Sequence, residues 1–339
     1  MVIHLGYDTY SLRALHWNAM QHLEFAARQQ LDAIQFSSIA DFGDTSPEGL
    51  RMVKARAEQL DIRIDGGVGC VCEISKSWNG KQGSPTEVLL RGMDIANQVG
   101  AKAMRCFMGS QLDRYGDRPL EQLMEALVRN LKAVRAKALD LGVKIGIENH
   151  KDMQAWQVKQ VIEEAGKDFT GSNLDLGNPN YVMENPMTTL EVLGPYAVTT
   201  HVRDTAVYEH PRGAAAQWTA LGDGSIDLKA IVNRYKELCP EASFHLEIIT
   251  GRPPEIIPYL EPDFWKTYKG MPASDFASFV ALAKSGRPFS GRMVIEDVEG
   301  QPPAQEFQDA LVYQQRYDLE RSLHYAQAVL GLGKQQVNA

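Results

Sequence analysis

The chain has 339 residues, of which 44% are hydrophobic and 23% are charged, and its formal net charge is -8 at pH 7. This composition is typical of a globular protein with a large core. The acidic balance disfavours nucleic acid as a partner, because a negative surface repels phosphate backbones. We expect no secretory signal and no membrane partner, since no apolar run approaches the roughly 18 residues that a membrane helix needs. The four cysteines suggest free thiols and a cytoplasmic location.

Short apolar segments alternate with helical patterns along most of the chain. We predict strands at residues 2–7, 32–37, 62–66, 102–107, 143–148, 169–175, 197–203 and 243–249. Helical periodicity lies between them, for example at residues 17–30, 47–60, 86–99 and 119–141. Eight strand–helix units predict an α/β fold, a (β/α)8 TIM barrel that forms a single domain over residues 1–339. A doubly wound open sheet is the structural alternative.

Two segments interrupt this alternation. Residues 204–225 are predicted to form a long loop after the seventh strand. Residues 250–303 form a longer insertion before a final helix at 304–332, with an additional strand expected at 292–297. Connections of this length are usually functional or disordered. The aromatic side chains of the insertion favour an ordered segment that caps the catalytic face of the barrel.

The carboxyl ends of the strands are where barrel enzymes place their active sites. The last four predicted strands each carry, at this end, a side chain that can bind a metal: Glu148, Asp175, His201 and Glu247. Burying such groups costs free energy unless they are paired or bound. Four in succession therefore predict one shared site.

Three carboxylates and one imidazole form an oxygen-rich ligand set. Such a set suits Mn²⁺, with Mg²⁺ or Co²⁺ as alternatives, better than structural zinc, which prefers thiolates and histidines. Each residue also has a simpler interpretation. Asp175 could cap the next helix, His201 could be a core histidine, and Glu148 could pair with Arg203 or Lys151.

The order of these four ligands on strands five to eight resembles the xylose isomerase-like superfamily of sugar isomerases and epimerases. The segment LGDGSID at 221–227 resembles the glycine-rich turn of that family before its seventh helix. The resemblance covers about residues 1–249 and the final helix, but not 250–303. It implies that Glu148 and Glu247 also move protons on opposite faces of a ketose. Asn178 departs from it, because ketose 3-epimerases of this type have a histidine at that position.

Two features resemble a narrower group, the larger subunit of C-glycoside deglycosidases, which act on 3-oxo-glycosides and pair with a small second subunit. These features are the motif Glu148-Asn149-His150 and the aromatic insertion. The motif also occurs in ordinary members of the superfamily. We expect a homo-oligomer, and the narrower resemblance implies a small second subunit.

Further polar and aromatic residues complete the predicted site. His150 lies two residues beyond Glu148, on the same face of the strand, and is the candidate general base. Its alternative role is to orient Glu148 or the loop. Arg203, Asn178 and Trp265 are candidate substrate ligands. The alternatives are a surface or rim arginine at 203 and, for the insertion that holds Trp265, a structural lid or a homo-oligomer contact.

The reaction predicted for this site is removal of a proton next to the carbonyl group of a keto sugar, which gives isomerisation or epimerisation. If a β-substituent leaves instead, the enzyme is a lyase that cleaves 3-oxo-glycosides. A DNA repair endonuclease shares this barrel, but the acidic charge disfavours it. A non-catalytic metal-binding barrel is the remaining alternative.

Overall fold

A parallel barrel forms the centre of the computed structural model, which describes residues 3–291, 294–298, 300–301 and 303–334. Strands are numbered along the chain. The barrel contains β1 Leu5–Asp8, β2 Ala33–Gln35, β3 Arg63–Cys70, β4 Ala103–Phe107, β5 Lys144–Glu148, β6 Thr170–Asp175, β7 Ala197–His201 and β10 Phe244–Leu246. Their order in the sheet is β10-β1-β2-β3-β4-β5-β6-β7. All eight predicted strands are therefore present, although most are shorter than the sequence pattern suggested.

The two end strands of this sheet, β7 and β10, meet at Val202. The Val202 N–H donates to the carbonyl oxygen of His245 at 2.8 Å, and the Glu247 N–H donates to the carbonyl oxygen of Val202 at 3.0 Å. Val202 and Leu246 are partners in a parallel bridge. These two hydrogen bonds join the first and last strands of the sheet. The predicted TIM barrel is confirmed, and the doubly wound open sheet is wrong.

The helices are α1 Ala19–Arg28, α2 Pro47–Leu60, α3 Pro85–Gln98, α4 Gln111–Arg114, α5 Leu120–Leu141, α6 Ala155–Ala165, α7 Pro186–Leu193, α8 Leu228–Leu238, α9 Ala273–Ser285 and α10 Gln305–Ala328. Most of them pack around the barrel with their apolar faces inward, whereas α9 packs against residues 204–219. Side-chain caps begin several of them, as where Ser84 accepts a hydrogen bond from the Glu87 N–H. None of the described helices is both long enough and apolar enough to cross a membrane.

The segment 204–225 is not the predicted loop. It contains a hairpin of β8 Asp204–His210 and β9 Gly213–Thr219, and β11 Glu255–Ile257 adds to β9 to form an antiparallel sheet. Alanine has a low preference for strands, so the run of alanines in β9 gives little signal. The partner strand β11 also lies far along the chain, where a local pattern cannot reveal it.

The hairpin and residues 255–285 together form what we call the cap. It has its own apolar cluster, which includes Val207, Ile257 and Phe279. The Arg114 side chain holds the cap to the barrel by donating to the carbonyl oxygen of Thr267 at 2.9 Å. The additional strand predicted at 292–297 is absent from 294–297, while 292 and 293 lie outside the described residues.

Candidate metal centre and substrate cavity

The ends of four neighbouring strands bring the predicted ligands together. Glu148, Asp175 and His201 end β5, β6 and β7, and Glu247 directly follows β10. All four side chains are buried. One ligand atom from each residue lies within 4.8 Å of those from the other three. The strand-end pattern therefore located one cluster rather than four unrelated groups.

His201 provides the clearest test of whether this cluster fits a cation. Its Nδ1 lies 3.3 Å from Glu247 Oε2, 3.5 Å from Glu148 Oε1 and 3.9 Å from Asp175 Oδ2. This buried nitrogen has no hydrogen-bond partner among the described residues. The other ring nitrogen, Nε2, is hydrogen-bonded to the carbonyl oxygen of the Gln35 side chain, so it carries the proton and Nδ1 carries a lone pair. A lone pair that faces three carboxylates is the arrangement of a metal ligand.

The formal charges of the cluster also fit a divalent cation. Carboxylates outnumber guanidinium groups by four to two: Asp8, Glu148, Asp175 and Glu247 against Arg105 and Arg203. A metal-binding imidazole is neutral, and with His201 in that form two negative charges remain unbalanced. Without a cation, burial opposes protonation of the ring, but Glu247 and Glu148 raise the pKa of His201 well above its ordinary value. Buried charges are stable only when they are paired or bound to a metal. The residues present therefore fit one divalent ion.

The two arginines hold the glutamates in their charged form. Burial would raise the pKa of Glu148, but Arg105, whose Nε lies 2.5 Å from Glu148 Oε2, holds that pKa well below its ordinary value. Burial likewise opposes the charge on Glu247, and in the metal-free site Arg203 and the protonated His201 lower its pKa to about 2. Deprotonated carboxylates are the form that binds a metal.

A buried hydrogen-bond network behind the site fixes the orientation of His201. Gln35 Oε1 accepts from His201, while Gln35 Nε2 donates to Thr199 Oγ1 at 2.6 Å and to Asn173 Oδ1 at 3.2 Å. Thr199 Oγ1 in turn donates to Asp65 Oδ2 at 2.7 Å. Because these partners fix the amide of Gln35, its oxygen must face the imidazole. Such outer contacts set the tautomer of a metal-binding histidine.

Two asparagines position the carboxylates of Glu148 and Asp175. Asn149 donates to the Asp175 carbonyl oxygen at 2.8 Å and accepts from the Asp175 N–H at 3.0 Å. Asn178 donates to Glu148 Oε1 at 3.2 Å through its side chain, and its backbone N–H donates to Asp175 Oδ1 at 2.7 Å. Asp175 therefore also accepts hydrogen bonds from the backbone of the turn that follows it, as the capping alternative predicted. Glu148 pairs with Arg105 rather than with Arg203 or Lys151.

A cavity of about 1040 Å³ lies against this cluster. Four of the predicted site residues line it, namely His150, Asn178, Arg203 and Glu247. The predicted Trp265 instead packs within the cap, where its ring contacts Tyr268 and Phe276 and its Nε1 donates to the Tyr259 carbonyl oxygen. The cap residue that provides an aromatic wall to the cavity is Trp218.

His150 is held at the cavity wall by two contacts. Its Nδ1 lies 2.8 Å from the carbonyl oxygen of Gly109, and its ring stacks on Phe107 with centroids 4.2 Å apart. A carbonyl oxygen only accepts, so Nδ1 carries the proton and Nε2 carries the lone pair. The hydrogen bond thus fixes the tautomer of the neutral ring, in which Nε2 is the basic nitrogen.

Arg203 is one of the most deeply buried side chains, with 1% of its surface exposed. Its Nη2 contacts both Asp175 and Glu247, and its guanidinium lies 4.8 Å from the Trp218 ring centroid. The alternative of a surface arginine is therefore wrong. A side chain at Gly177 would collide with the Arg203 stem, since a Cβ there would lie 2.2 Å from Arg203 Cγ. Glycine at 177 makes room for this arginine.

The sequence analysis missed three side chains of the metal centre: Asp8, Gln35 and Arg105. They lie in β1, β2 and β4, each as a polar residue in an otherwise apolar strand. Asp8 and Gln35 end β1 and β2, so the strand-end pattern in the first half of the barrel would have indicated both. Arg105 lies in the middle of β4, and its signal is a charge within an apolar strand.

The glycine-rich turn at 221–227 binds a carboxylate of the protein itself. The backbone N–H groups of Gly222 and Gly224 donate to Asp204 Oδ2 at 3.1 and 3.0 Å, and that of Ile226 donates to Oδ1 at 3.2 Å. Burial nevertheless raises the pKa of Asp204 to about 6. The turn therefore anchors the start of the cap hairpin beside the site.

Solved structures of two named sugar epimerases share the fold. D-psicose 3-epimerase from Clostridium cellulolyticum H10 is 13% identical, with a TM-score of 0.60 over 97% of this chain and 99% of that one. The 3-keto-D-glucoside 4-epimerase of E. coli is 12% identical, with a TM-score of 0.56 over 93% of this chain and 99% of that one. At such identities the similarity shows a common fold.

Sequence comparison identifies the family directly. The uncharacterized protein YihM of Escherichia coli strain K12 is 21% identical over 211 residues, which are 62% of this chain and 56% of that protein. The chain thus matches little more than half the length of this relative. The profile of the xylose isomerase-like TIM barrel matches residues 23–264, well over half of the chain. The chain therefore belongs to the xylose isomerase-like TIM barrel family.

Proposed function

We propose that this protein is a divalent-metal-dependent enzyme that removes a proton next to the carbonyl group of a keto sugar, with isomerisation or epimerisation as the result. The ligand cluster of Glu148, Asp175, His201 and Glu247 supports this proposal, and Mn²⁺ is the ion that we expect there. When the site is loaded, the chemistry supplied is Lewis-acid polarisation of a neighbouring carbonyl oxygen. Solved structures named as sugar epimerases share the fold.

The observation that carries the proposal is the hydrogen bond from His150 to Gly109. It leaves Nε2 of a cavity-lining imidazole free to take a carbon-bound proton beside the metal ligands. Stacking on Phe107 holds the ring in that orientation. Glu148 and Glu247 are the further groups that the family resemblance assigns to proton movement. In epimerisation the proton returns to the opposite face of the same carbon, and in isomerisation it returns to the neighbouring carbon.

A lyase that cleaves 3-oxo-glycosides is the second candidate. The size of the cavity supports it, because a glycoside is larger than a simple ketose. A volume of about 1040 Å³ lies at the upper end of the range for drug-sized ligands, so a sugar with a bulky substituent fits. The first step is the same proton removal. The outcomes differ because a β-substituent then leaves with its bonding electrons before a proton returns.

Solvent exchange tests the shared step and separates the outcomes. Mn²⁺-loaded protein is incubated in D₂O with ketoses and with 3-oxo-glucosides, and NMR locates the deuterium. Deuterium at a carbon next to the carbonyl, with retention of the substituent, indicates isomerisation or epimerisation. Loss of the substituent indicates the lyase. Absence of exchange with every substrate in metal-replete protein contradicts the proposal.

The His150→Ala variant tests the base. We expect it to keep the metal and to slow exchange by about 10²–10⁴-fold, the usual contribution of a positioned general base. His210→Ala is the matched control, because His210 lies in the hairpin turn of the cap, where its ring accepts the Arg212 N–H. Its exchange rate should equal that of the wild type. A His150→Ala variant as fast as this control would exclude the role.

A further inference from the structure

One wall of the cavity presents hydrogen-bond donors. It consists of Lys151, Arg203, Trp218 and Arg252, all of which line the cavity, and we call it the donor wall. Lys151 and Arg203 both stack on Trp218, with Lys151 Nζ 4.5 Å and Arg203 Cζ 4.8 Å from its ring centroid. Gln217, the neighbour of Trp218 in β9, donates to the Arg252 carbonyl oxygen at 2.9 Å, which places Arg252 beside this wall. The four side chains therefore act on one region of the cavity.

Several donors of this wall are buried and unused. Arg203 Nε, Arg203 Nη1 and Trp218 Nε1 are buried and have no hydrogen-bond partner within the described ranges. The Arg252 side chain likewise makes no hydrogen bond or ion pair in the part of the chain that the structure describes. A buried donor without a partner is costly, and most buried polar groups in proteins are satisfied. These donors thus point to a ligand that accepts hydrogen bonds.

The carboxylates beside the wall are already ion-paired, and the free acceptor that lines the cavity beside them is the neutral amide oxygen of Asn178, which has no hydrogen-bond partner among the described residues. Glu255 pairs with Lys151, and the carboxylates of Asp175 and Glu247 pair with Arg203. A neutral sugar hydroxyl would accept one bond but would also bring a hydrogen that needs an acceptor. The oxygens of an ionised acid only accept. The wall therefore matches an anionic group better than a hydroxyl group.

The charges of the wall lead to the same conclusion. Lys151 and Arg203 form ion pairs with carboxylates, whereas Arg252 forms none with the described residues. Burial lowers the pKa of Lys151, and the neighbouring charges of Arg203 and Arg252 lower it further against the effect of Glu255. One additional negative charge at this wall would relieve the repulsion among the three cations.

We propose that the substrate carries an acidic group, a carboxylate or a phosphate ester, that binds Arg252, Arg203 and the Trp218 N–H. This inference deepens the proposed function, since it names the substrate class of the same cavity. It requires only binding, whereas the proposed reaction requires proton exchange. The two can therefore fail independently.

The test compares the equilibrium affinities of D-fructose, D-fructuronate and D-fructose 6-phosphate by calorimetry, with Mn²⁺-loaded protein at low ionic strength. We expect at least one acidic ligand to bind about tenfold or more tightly than fructose, because hydrogen bonds to charged groups are the strong ones. Comparison of the uronate with the phosphate identifies the acid. The preference should persist in chelator-treated protein, because the wall contains no metal ligand, and it should weaken with added salt.

Two variants assign the preference to the wall. Arg252→Gln should lower the affinity for the preferred acidic ligand by about tenfold and change the affinity for fructose by no more than about twofold. Trp218→Phe retains an aromatic ring, although a smaller one, and removes the N–H. It should weaken the binding of the acidic ligand more than that of fructose. Arg212→Gln is the matched control, since Arg212 is an exposed cap arginine that pairs with Glu261.

Three results would overturn the inference. The first is equal affinity for all three sugars. The second is an equal loss of affinity for acidic and neutral ligands in Arg252→Gln. The third is a loss of affinity in Arg212→Gln as large as that in Arg252→Gln. If exchange in D₂O still occurs, the proposed function stands without this substrate class. If an acidic ligand binds tightly but no ligand exchanges, the substrate class stands and the proposed reaction fails.

Discussion

A single amide, that of Gln35, determines which nitrogen of His201 faces the carboxylates. Gln35 is fully buried, and its own orientation is fixed by Thr199 and Asn173 on two other strands. The free energy that holds the imidazole in place therefore comes from residues with no direct contact with a ligand or substrate. Asp8, whose Oδ2 lies 3.4 Å from His201 Nε2, adds a carboxylate to the same side of the ring.

Replacing Gln35 by methionine should weaken metal binding while the barrel still folds. Methionine has a similar length but no acceptor for the His201 Nε2–H, so only the more distant Asp8 carboxylate, 3.4 Å from Nε2, still favours the original tautomer. We expect about a 10–100-fold loss in Mn²⁺ affinity by chelator competition, the usual effect of removing an outer hydrogen bond. Nitrogen-15 NMR of His201 should show a mixture of tautomers.

Ser172→Ala is the matched control for that experiment. Ser172 is also fully buried in the barrel, and its side chain donates to the Leu193 carbonyl oxygen at 3.0 Å, away from the ligands. This variant should lose stability without losing metal affinity. Unchanged affinity in Gln35→Met, or a similar loss in Ser172→Ala, would show that Gln35 does not position His201.

The individual ligands could be predicted because each is a charged or imidazole side chain that closes an apolar strand. Trp265 and Trp218 show where such reasoning stops. Both are half-buried tryptophans in irregular parts of the sequence, and only the packing of the cap decides which one reaches the cavity. Composition identifies candidates of this kind, while long-range contacts choose between them.

At the scale of elements, strands and long helices were predictable and the cap was not. The barrel strands repeat a local pattern, so each can be recognised by itself. The cap sheet joins β8 and β9 to β11, which lies beyond α8 and β10. Helix α9 was missed because the prolines and aromatics of the insertion hid one helical segment within it. Pairing between distant segments leaves no short-range trace in the sequence.

Helix α6 begins on a buried carboxylate, and this makes stability depend on pH. Both Glu184 oxygens lie 3.0 Å from the Ala155 N–H, and Thr189 donates to Oε2 at 3.2 Å. Burial nevertheless raises the pKa of Glu184 to about 7 from a model-compound value of 4.5. The folded state therefore holds this proton more tightly than the unfolded state. The associated stability is complete below pH 4.5 and is lost as the pH rises through about 7.

Glu184→Gln should remove this pH dependence. The amide can still accept from Ala155 but cannot ionise. Between pH 5 and pH 8, the free energy of unfolding should fall less in the variant than in the wild type, by roughly 2–3 kcal/mol. Urea unfolding at several pH values measures the difference. Glu121→Gln, on the exposed first turn of α5, should keep the wild-type profile, and parallel profiles for all three proteins would contradict the assignment.

For the whole molecule, metal binding and folding should be linked. A ligand that binds only the folded state stabilises it by about 2.7 kcal/mol at roughly 100 times its Kd. For a chain of this size we expect Mn²⁺ at that concentration to raise Tm by roughly 4 °C, and a chelator to reverse the change. Scanning calorimetry measures both.

Glu148→Gln provides the comparison, because it removes one negative ligand while preserving the shape of the side chain. The Tm of this variant should respond little to Mn²⁺, and elemental analysis should find less bound metal. An equal rise in Tm in both proteins, or full occupancy in the variant, would exclude the four-residue site.

The metal site spans the junction at Val202, where the barrel closes, and we call this junction the seam. His201 lies on one side of the seam and Glu247 on the other. Two backbone hydrogen bonds at Val202 connect β7 to the chain around β10, and the Thr200 hydroxyl adds bonds to Ser243 and His245. An ion bound by both side chains would crosslink β7 to the segment that follows β10, where the barrel closes. Transient separation of these two strands would move His201 away from Glu247. Closure of the barrel and binding of the ion would therefore be thermodynamically linked. A substitution that weakens the contact between β7 and β10, even one on the opposite side of the barrel, would then lower the affinity for the metal ion.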